Sequence, residues 1–303
     1  MKYFVLILFV LTYLPQTMAQ NAAPKDRNEV NNGTKPSGMM ADSPVVFPKE
    51  GPLPSKYPAD LEVENRVAEK DYFIFSSPCR SLSQIEAIQK EMPEGSFSPI
   101  FPDWTYLPRL RHQLTEGGEL HILGLGDSIV NDTMRSAWVA KLREAYPKAH
   151  IKATVYVRGG GGCQHYKEEN RVEKYLLPLK PDLVFIGGIS QKNVADIAEV
   201  IAQIRAGLPN VEFLLTSGTF GTTDPRNATA LASASNSGTG QYGAELQKLA
   251  IEKHCAYLDM TTPWAEYIRS AKLHPHLFYR DVVHANEHGE QILSKIMMAF
   301  FKP

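Results

Sequence analysis

Residues 120–129 read Leu-His-Ile-Leu-Gly-Leu-Gly-Asp-Ser-Ile and join an apolar run to a glycine-containing turn. The run at 120–125 has the length and composition of a buried β-strand. Ser128 follows at the point where such a strand turns into a helix, which is where open parallel sheets carry their ligand-binding groups. The stretch therefore predicts a strand, a turn and a helix, with a serine at the turn.

The rest of the chain from residue 120 repeats this alternation. Strands are predicted at 120–125, 151–157, 183–186, 211–216 and 256–260, and helices at about 133–146, 194–208, 242–254 and 287–301. The apolar positions of 194–208 fall on one stripe of a helix, as expected for packing on a sheet. The predicted fold class is α/β, a three-layer α/β/α domain with a mostly parallel sheet of about five strands.

Composition and charge exclude several classes of protein. The 303 residues include 32 Lys and Arg against 33 Asp and Glu, so the charge does not favour nucleic acid or an anionic membrane as a partner. The three cysteines, Cys79, Cys163 and Cys255, are an odd number and do not indicate a disulfide framework. We expect a fold that its core stabilises, with Cys163 as a small buried filler.

The amino terminus has the features of an export signal. Lys2 precedes an apolar stretch at 3–14, and small residues near Ala19 suit a signal peptidase. The stretch is shorter than the roughly 20 residues that span a bilayer. We predict a signal peptide at 1–19 with cleavage after Ala19, a secreted or periplasmic location, and no stable membrane span.

Three further segments follow the signal peptide. Residues 20–55 are rich in Asn, Pro, Gly, Lys and Ser, and predict a flexible linker. Residues 56–118 contain apolar and aromatic stretches, and predict an N-terminal extension that packs on the main domain. Residues 119–303 form the predicted catalytic domain.

Ser128 has suitable partners far downstream in the chain. A serine hydroxyl becomes a useful nucleophile when an imidazole takes its proton and a carboxylate orients that imidazole. Asp281 and His284 lie three residues apart before the last predicted helix, so they can meet directly. We predict Ser128 as nucleophile, His284 as base and Asp281 as the residue that orients the base.

Backbone N–H groups are candidates for an oxyanion hole. The N–H of Ser128 lies at the start of a helix, where developing negative charge is stabilised. Four glycines at 159–162 follow the second predicted strand, and their backbone can approach a ligand without side-chain obstruction. We predict Gly162 as a second donor.

At these positions the chain resembles the SGNH hydrolases, also called the GDSL esterases and lipases, over residues 120–303. Gly126-Asp127-Ser128-Ile129 is similar to the family's first block, the segment 158–162 to its second, and Asp281 with His284 to its fifth. The resemblance implies a flavodoxin-like fold, serine esterase chemistry and no cofactor.

The third block differs from the family pattern. The family has Gly-x-Asn-Asp after the third strand, where the asparagine amide is an oxyanion donor, but this chain reads Gly188-Ile189-Ser190-Gln191. Ser190 occupies the asparagine position if Gly188 is the block glycine, while the amide of Gln191 is chemically closer to the missing donor. Loss of one such donor costs about 3 kcal/mol of transition-state stabilisation, so either a substitute exists or the activity has diverged.

Other polar residues in the same layer have weaker assignments. Asp127 is interpreted as a helix cap, with a direct role in catalysis or substrate contact as the alternatives. Asn131, His165 and Thr219 are candidate substrate contacts, Thr219 because the loop at 217–223 offers hydroxyls to a sugar. A zinc site is disfavoured because no His-Glu-x-x-His motif is present, although His, Asp and His residues cluster at 274–288. We predict no metal.

These observations lead to one principal hypothesis. The chain is interpreted as a secreted serine esterase that removes O-acetyl or other acyl groups from a carbohydrate. Two alternatives stay open: an enzyme of the same fold with different chemistry on polysaccharide, such as glycosidic cleavage or acyl transfer, and a non-catalytic carbohydrate-binding protein. The sequence gives no indication of the sugar or the oligomeric state.

Overall fold

A mixed β-sheet lies at the centre of the part of the chain that is described. The computed structural model describes residues 66–69, 72–76, 81–191, 193–219, 224–229, 238–281 and 283–302, with the backbone alone for 66–69, 72–76 and 238–241. The predicted signal peptide, the linker at 20–55, Cys79 and residues 220–223 of the polar loop lie outside these residues. The described residues all belong to one compact unit.

The sheet has seven strands in the order β1-β2-β4-β3-β5-β6-β7. Their bounds are Arg66–Glu69, Tyr72–Ser76, Gly118–Gly126, Ala149–Arg158, Leu183–Ile186, Glu212–Thr216 and Ala256–Leu258, for β1 to β7. The five strands from β3 to β7 pair in parallel and are the five that the sequence predicted. Their order, β4-β3-β5-β6-β7, is that of flavodoxin-like sheets. The predicted α/β class is confirmed.

Two strands extend the sheet beyond this prediction. β2 pairs antiparallel with β4, from Tyr72 opposite Arg158 to Ser76 opposite Thr154, and β1 pairs antiparallel with β2. The apolar stretch at 72–75 therefore lengthens the sheet. Sequence periodicity does not reveal this pairing because the partner strand lies far away along the chain.

The helices cover both faces of the sheet. Their bounds are Leu82–Glu91 for α1, Pro108–Glu116 for α2, Ser128–Arg135 for α3, Trp138–Ala145 for α4, Cys163–Tyr166 for α5, Val194–Gly207 for α6, Gly238–Glu252 for α7, Thr261–Ala271 for α8 and Glu287–Phe301 for α9. Short helical turns occur at Val172–Leu176, Leu177–Leu179 and Pro275–Phe278. In the described part of the chain, no helix combines the length and apolar character needed to cross a membrane.

Alternate side chains of the strands enter two separate cores, which explains why the strands read as continuous apolar runs. Ile122 and Phe185 pack under α3, α4, α8 and α9, whereas Leu123 and Val184 pack under α6 and α7. Burial of this apolar surface on both faces is the main source of stability. The domain therefore has the three predicted layers.

One helix prediction was wrong. The sequence predicted a single helix at about 133–146, but α3 ends at Arg135 and α4 begins at Trp138. Ser136 ends α3 because both its N–H and its hydroxyl donate to the carbonyl of Thr133, at 3.3 Å and 2.7 Å. The first helix also begins earlier than predicted, at Ser128, since Asp127 caps it.

Burial of two thiols gives a testable consequence. Cys163 and Cys255 are free and buried, and burial raises the pKa of both thiols, that of Cys255 to about 11. Because the thiolate is the reactive species, we expect neither cysteine of the native protein to be alkylated by iodoacetamide at about pH 8, and both to be alkylated after denaturation. Peptide mapping by mass spectrometry distinguishes the sites. Alkylation of native Cys163 at the rate of a free thiol would contradict this packing.

Candidate active site

The carboxyl ends of the parallel strands bring the predicted site residues to one edge of the sheet. β3 leads into α3 at Ser128, β4 leads into the glycine loop at 159–162, and β5 leads into the loop at 187–191. The turn at 280–285 precedes α9. Open α/β sheets bind ligands at this edge because loops and helix amino termini converge there.

The structure brings the serine, histidine and aspartate together. Ser128 Oγ lies 2.7 Å from His284 Nε2, and His284 Nδ1 lies 2.7 Å from Asp281 Oδ2. With the ring proton on Nδ1, directed to the carboxylate, Nε2 is free to accept the proton of the serine hydroxyl. The three groups form a relay from hydroxyl to imidazole to carboxylate.

The turn that carries the histidine is closed by its own hydrogen bonds. Asp281 Oδ1 accepts from the N–H groups of Val283 and His284, each at 2.9 Å, and Arg280 N–H donates to the carbonyl of His284 at 3.0 Å. Partial burial would raise the pKa of Asp281, but these N–H donors and the imidazole outweigh it, and the pKa lies below its ordinary value. The carboxylate is therefore charged at neutral pH.

Asp127 has the capping role that the sequence suggested. It is buried, and its Oδ1 accepts from Ile129 N–H at 2.9 Å and from Val130 N–H at 3.4 Å. Its Oδ2 accepts from Ile189 N–H and Ser190 N–H, each at 2.8 Å. One carboxylate thus fixes the start of the serine-bearing helix to the loop after β5.

The Asp127 carboxylate does not accept a hydrogen bond from the first N–H of α3. Asp127 accepts from the second and third residues of the helix, while the first residue is Ser128. The N–H of Ser128 is thereby a candidate oxyanion donor at a helix amino terminus, where negative charge is stabilised.

Gly162 lies against the loop after β5 and has no room for a side chain. A Cβ on Gly162 would lie 2.7 Å from Gln191 Oε1 and 2.9 Å from the carbonyl of Ser190. Close contact with the Gln191 side chain and the Ser190 carbonyl, and not a left-handed conformation, thus favours glycine here. The structure brings Gly162, Ser190 and Gln191 together, and their roles as oxyanion donors stay predictions.

The amide of Gln191 connects the two loops. Its Nε2 donates to the carbonyl of Gly187 at 3.0 Å, and its Oε1 accepts from Cys163 N–H at 2.8 Å. One amide hydrogen is therefore used inside the β5 loop. The Gln191 side chain therefore connects the end of the glycine loop to the β5 loop.

The weaker substrate candidates have different surroundings. Asn131 is half-buried on α3, one turn after the nucleophile candidate. His165 Nε2 lies 3.3 Å from a guanidinium nitrogen of Arg158. Thr219 is buried and hydrogen-bonds the side chain of Tyr279. Substrate contact by these three residues stays a prediction.

The histidine-rich segment does not form a metal cluster among the described residues. The Nδ1 atoms of His274 and His276 lie 2.6 Å apart, but no group of three or more His, Cys, Asp or Glu side chains in the described ranges is placed to hold an ion. His284 is engaged with Ser128 and Asp281.

Sequence reasoning missed a group of charged residues beside the site. Asp132 and Glu290 are fully buried carboxylates, and Arg135 and Arg280 pair with them. The sequence did contain an indication of this group, because each of the helices α3 and α9 has an acidic residue on its apolar side. A buried carboxylate requires a partner, so each predicts a nearby cation.

Comparisons with known proteins support the fold. No family model matches the sequence, and no curated protein matches it. A two-domain esterase active on acetylated mannans is similar in structure, with a TM-score of 0.50, 15% identity, and coverage of 66% of this chain and 53% of that protein. This chain thus spans about half the length of that esterase.

Two further solved structures have smaller TM-scores. They are a protein from Parabacteroides merdae described as a GDSL-like lipase (TM-score 0.48, 17% identity, 60% of this chain and 95% of that chain) and a variant of an acetylxylan esterase from Geobacillus stearothermophilus (0.45, 18%, 61% and 94%). The likeness to the mannan esterase agrees with the strand order described above and shows an α/β/α fold.

The four hydrogen bonds of Asp127 predict a large stability cost for its replacement. In Asp127→Asn an NH2 group faces backbone donors, so we expect the free energy of unfolding to fall by about 2–4 kcal/mol. Asn193→Ala is the control, since Asn193 caps α6 and its side chain hydrogen-bonds only one residue, Asp196, among the described residues, so that its loss costs about 1 kcal/mol. Urea unfolding measures both. Equal losses in the two variants would contradict the bridging role of Asp127.

The lowered pKa of Asp281 predicts how stability depends on pH. A carboxylate with a depressed pKa stabilises the fold above its ordinary pKa of about 3.9, and this contribution is lost as the pH falls through the depressed value. We expect the difference in unfolding free energy between wild type and Asp281→Asn to be present at about pH 5 and to shrink below about pH 4. Denaturant unfolding across this range tests it. A difference that vanishes already near neutral pH would contradict the assigned hydrogen bonds.

Proposed function

We propose that this protein is an exported serine esterase that removes acyl groups, O-acetyl groups in particular, from a carbohydrate. The observation that carries the proposal is the relay of Ser128, His284 and Asp281, with two contacts of 2.7 Å, at the ligand-binding edge of the sheet. An isolated serine in a turn has no need of an oriented imidazole, whereas acyl transfer requires one.

The proposed reaction follows the relay. Ser128 Oγ attacks the ester carbonyl as His284 Nε2 takes its proton, and the charge of Asp281 stabilises the imidazolium that forms. The imidazolium returns the proton to the departing sugar oxygen, which leaves an acyl-enzyme on Ser128. Water, deprotonated by His284, then releases the acid and restores the serine.

The oxyanion would be held by backbone donors. The N–H of Ser128 is suited to this role because the Asp127 cap uses the next two N–H groups of α3 and leaves the first. Gly162 is the proposed second donor, since Gln191 holds the end of its loop to the β5 loop, and Asp127 holds the β5 loop to the start of α3. Ser190 and Gln191 are candidates for the third position.

The substrate class and the location rest on separate observations. A structurally similar protein is an esterase active on acetylated mannans, which makes acetylated polysaccharide the first substrate to test. The export signal predicted at 1–19 is consistent with an extracellular or periplasmic glycan as substrate.

The altered third block favours a second candidate function. The chain has Ser190-Gln191 in place of the family's Asn-Asp, and the Gln191 amide already donates to Gly187. An enzyme with the same relay but different chemistry on polysaccharide, such as acyl transfer to a second sugar or glycosidic cleavage, would fit this change. It would alter chain length or move the acyl group without releasing free acid.

Acetate release from acetylated glycans tests the proposal. We expect the wild-type protein to release acetate from at least one member of a panel of acetylated mannan, xylan and peptidoglycan fragments. Ser128→Ala should lose this activity by about four orders of magnitude or more, because the nucleophile is absent. Chromatography of acetate and mass spectrometry of the glycans give the readout.

A second serine variant controls for effects on folding. Ser136 is buried in the same region and only hydrogen-bonds the end of α3, so Ser136→Ala should keep activity within about threefold per folded molecule. Acyl movement between glycans without acid would favour the second candidate. Glycan binding that Ser128→Ala leaves unchanged, with no reaction on any substrate, would identify a binding protein and refute both enzymes.

A further inference from the structure

Two buried carboxylates and two half-buried guanidinium groups form a cluster beside the proposed relay. Asp132 and Glu290 are 0% exposed, and their carboxylates alternate with the guanidinium groups of Arg135 and Arg280. Arg280 Nη2 lies 2.8 Å from Asp132 Oδ1, and Arg135 Nε donates to Glu290 Oε1 at 2.8 Å. Longer contacts, from Arg135 to Asp132 at 3.4 Å and from Arg280 to Glu290 at 3.9 Å, close the cluster.

The cluster is electrically balanced, with two carboxylates and two guanidinium groups. Burial would lower the pKa of Arg135, but Glu290 and Asp132 outweigh this effect and raise it, so the guanidinium stays charged. Buried ion pairs give little net stability compared with apolar packing, because removing the charges from water is costly. Such a cluster does fix the relative positions of the segments that carry it, because each charged hydrogen bond forms only when donor and acceptor are aligned.

Asp132 contacts both ends of the turn that carries His284. Its Oδ1 accepts from the side chain of Arg280 at the start of the turn, and its Oδ2 accepts from Ala285 N–H at the end, at 3.2 Å. Arg280 itself also donates to the carbonyl of Ala285. The turn is thus closed on itself and, besides the contact of His284 with Ser128, is attached to α3 through the carboxylate of Asp132.

The same helix carries the nucleophile candidate. Ser128 is the first residue of α3, and Asp132 follows it by one turn, a rise of about 6 Å along a rigid backbone. Ala285 follows His284 directly in the chain. Ser128 and His284 are therefore connected by one turn of α3, the side chain of Asp132, its hydrogen bond to Ala285 N–H, and the peptide bond between Ala285 and His284.

We propose that Asp132 and Arg280 are positioning residues that hold the turn of Asp281 and His284 at the distance where His284 Nε2 meets Ser128 Oγ. The inference rests on the proposed function only in requiring that Ser128 is activated by His284. Neither residue contacts the reacting atoms, and both act through the position of the turn.

The rate of serine labelling by a fluorophosphonate tests the proposal. In this reaction Ser128 Oγ bonds to phosphorus, fluoride leaves, and His284 takes the serine proton, so the rate constant reports the contact between Ser128 and His284 without a natural substrate. We expect Asp132→Asn to lower this rate constant about 10- to 100-fold, because a small misplacement of a base is costly. On p-nitrophenyl acetate, kcat should fall by a similar factor while KM is unchanged.

The matched control is a second buried carboxylate far from the turn. Glu212 is buried and accepts from Arg109 N–H and Leu110 N–H, at 2.7 Å and 2.8 Å, at the opposite end of the sheet. Glu212→Gln should reduce the fraction of molecules that fold and label, but change the rate constant of the folded fraction by no more than about twofold. Intact-protein mass spectrometry gives both the extent and the rate.

The outcomes separate positioning from a purely structural role. If Asp132→Asn, like Glu212→Gln, lowers only the extent of labelling, or if the wild-type serine is not labelled, the proposal is overturned. If Asp132→Asn does not fold, Arg280→Lys decides, since a lysine cannot donate to Asp132 and Ala285 in the same geometry. An unchanged rate constant in that variant refutes positioning, and a fall of about 10-fold supports it.

Failure of the proposed function has a different signature. A wild-type protein that is labelled at Ser128 but releases no acetate from any glycan would refute the carbohydrate esterase and leave the positioning role intact.

Discussion

The carboxylate of Asp127 is the contact on which the geometry of the site depends. It accepts four backbone N–H groups, two from the start of α3 and two from the loop after β5. A buried charge is tolerated only when its hydrogen-bonding capacity is satisfied, and here the donors come from two neighbouring strand ends. The position of Ser128 and that of the β5 loop are therefore set by the same group.

A second buried carboxylate, that of Asp132, contacts the turn that carries His284. Asp132 connects α3 to the turn at 280–285, so α3 lies between two anionic contacts, one at each end of its first turn. The apolar core under α3 stabilises the helix but does not fix its exact position. The hydrophobic effect depends on the apolar area removed from water and has no preferred direction. Hydrogen bonds to charged groups supply the direction that a relay of three side chains requires.

Much of the fold follows from local sequence patterns. The five parallel strands were predictable because strands buried on both faces must be continuously apolar, and α9 was predictable at 287–301 from its periodicity. The break at Ser136 was missed since a serine can close a helix by hydrogen-bonding its carbonyls, which composition does not reveal. β1 and β2 were missed as members of the sheet because their pairing with β4 is not local.

The site was predictable to a smaller extent. Ser128, Asp281 and His284 could be grouped because their residue types and motif spacing match one chemistry, and the structure brings these three together. The ion cluster could not be found in this way, since Asp132 is separated from Arg280 by 148 residues. Pairing across such a distance depends on the packing of α3 against the last turn and α9, which only the three-dimensional structure provides.

The outermost strands in the described sheet have a consequence for behaviour at high concentration. β1 has four residues and a register irregularity between Val67 and Glu69, and β7 has three residues. A strand at the margin of a sheet can recruit a foreign chain through its unpaired N–H and carbonyl groups, and short or bulged strands offer too few of them in register. Both margins of the described sheet thereby limit its growth between molecules at high protein concentration.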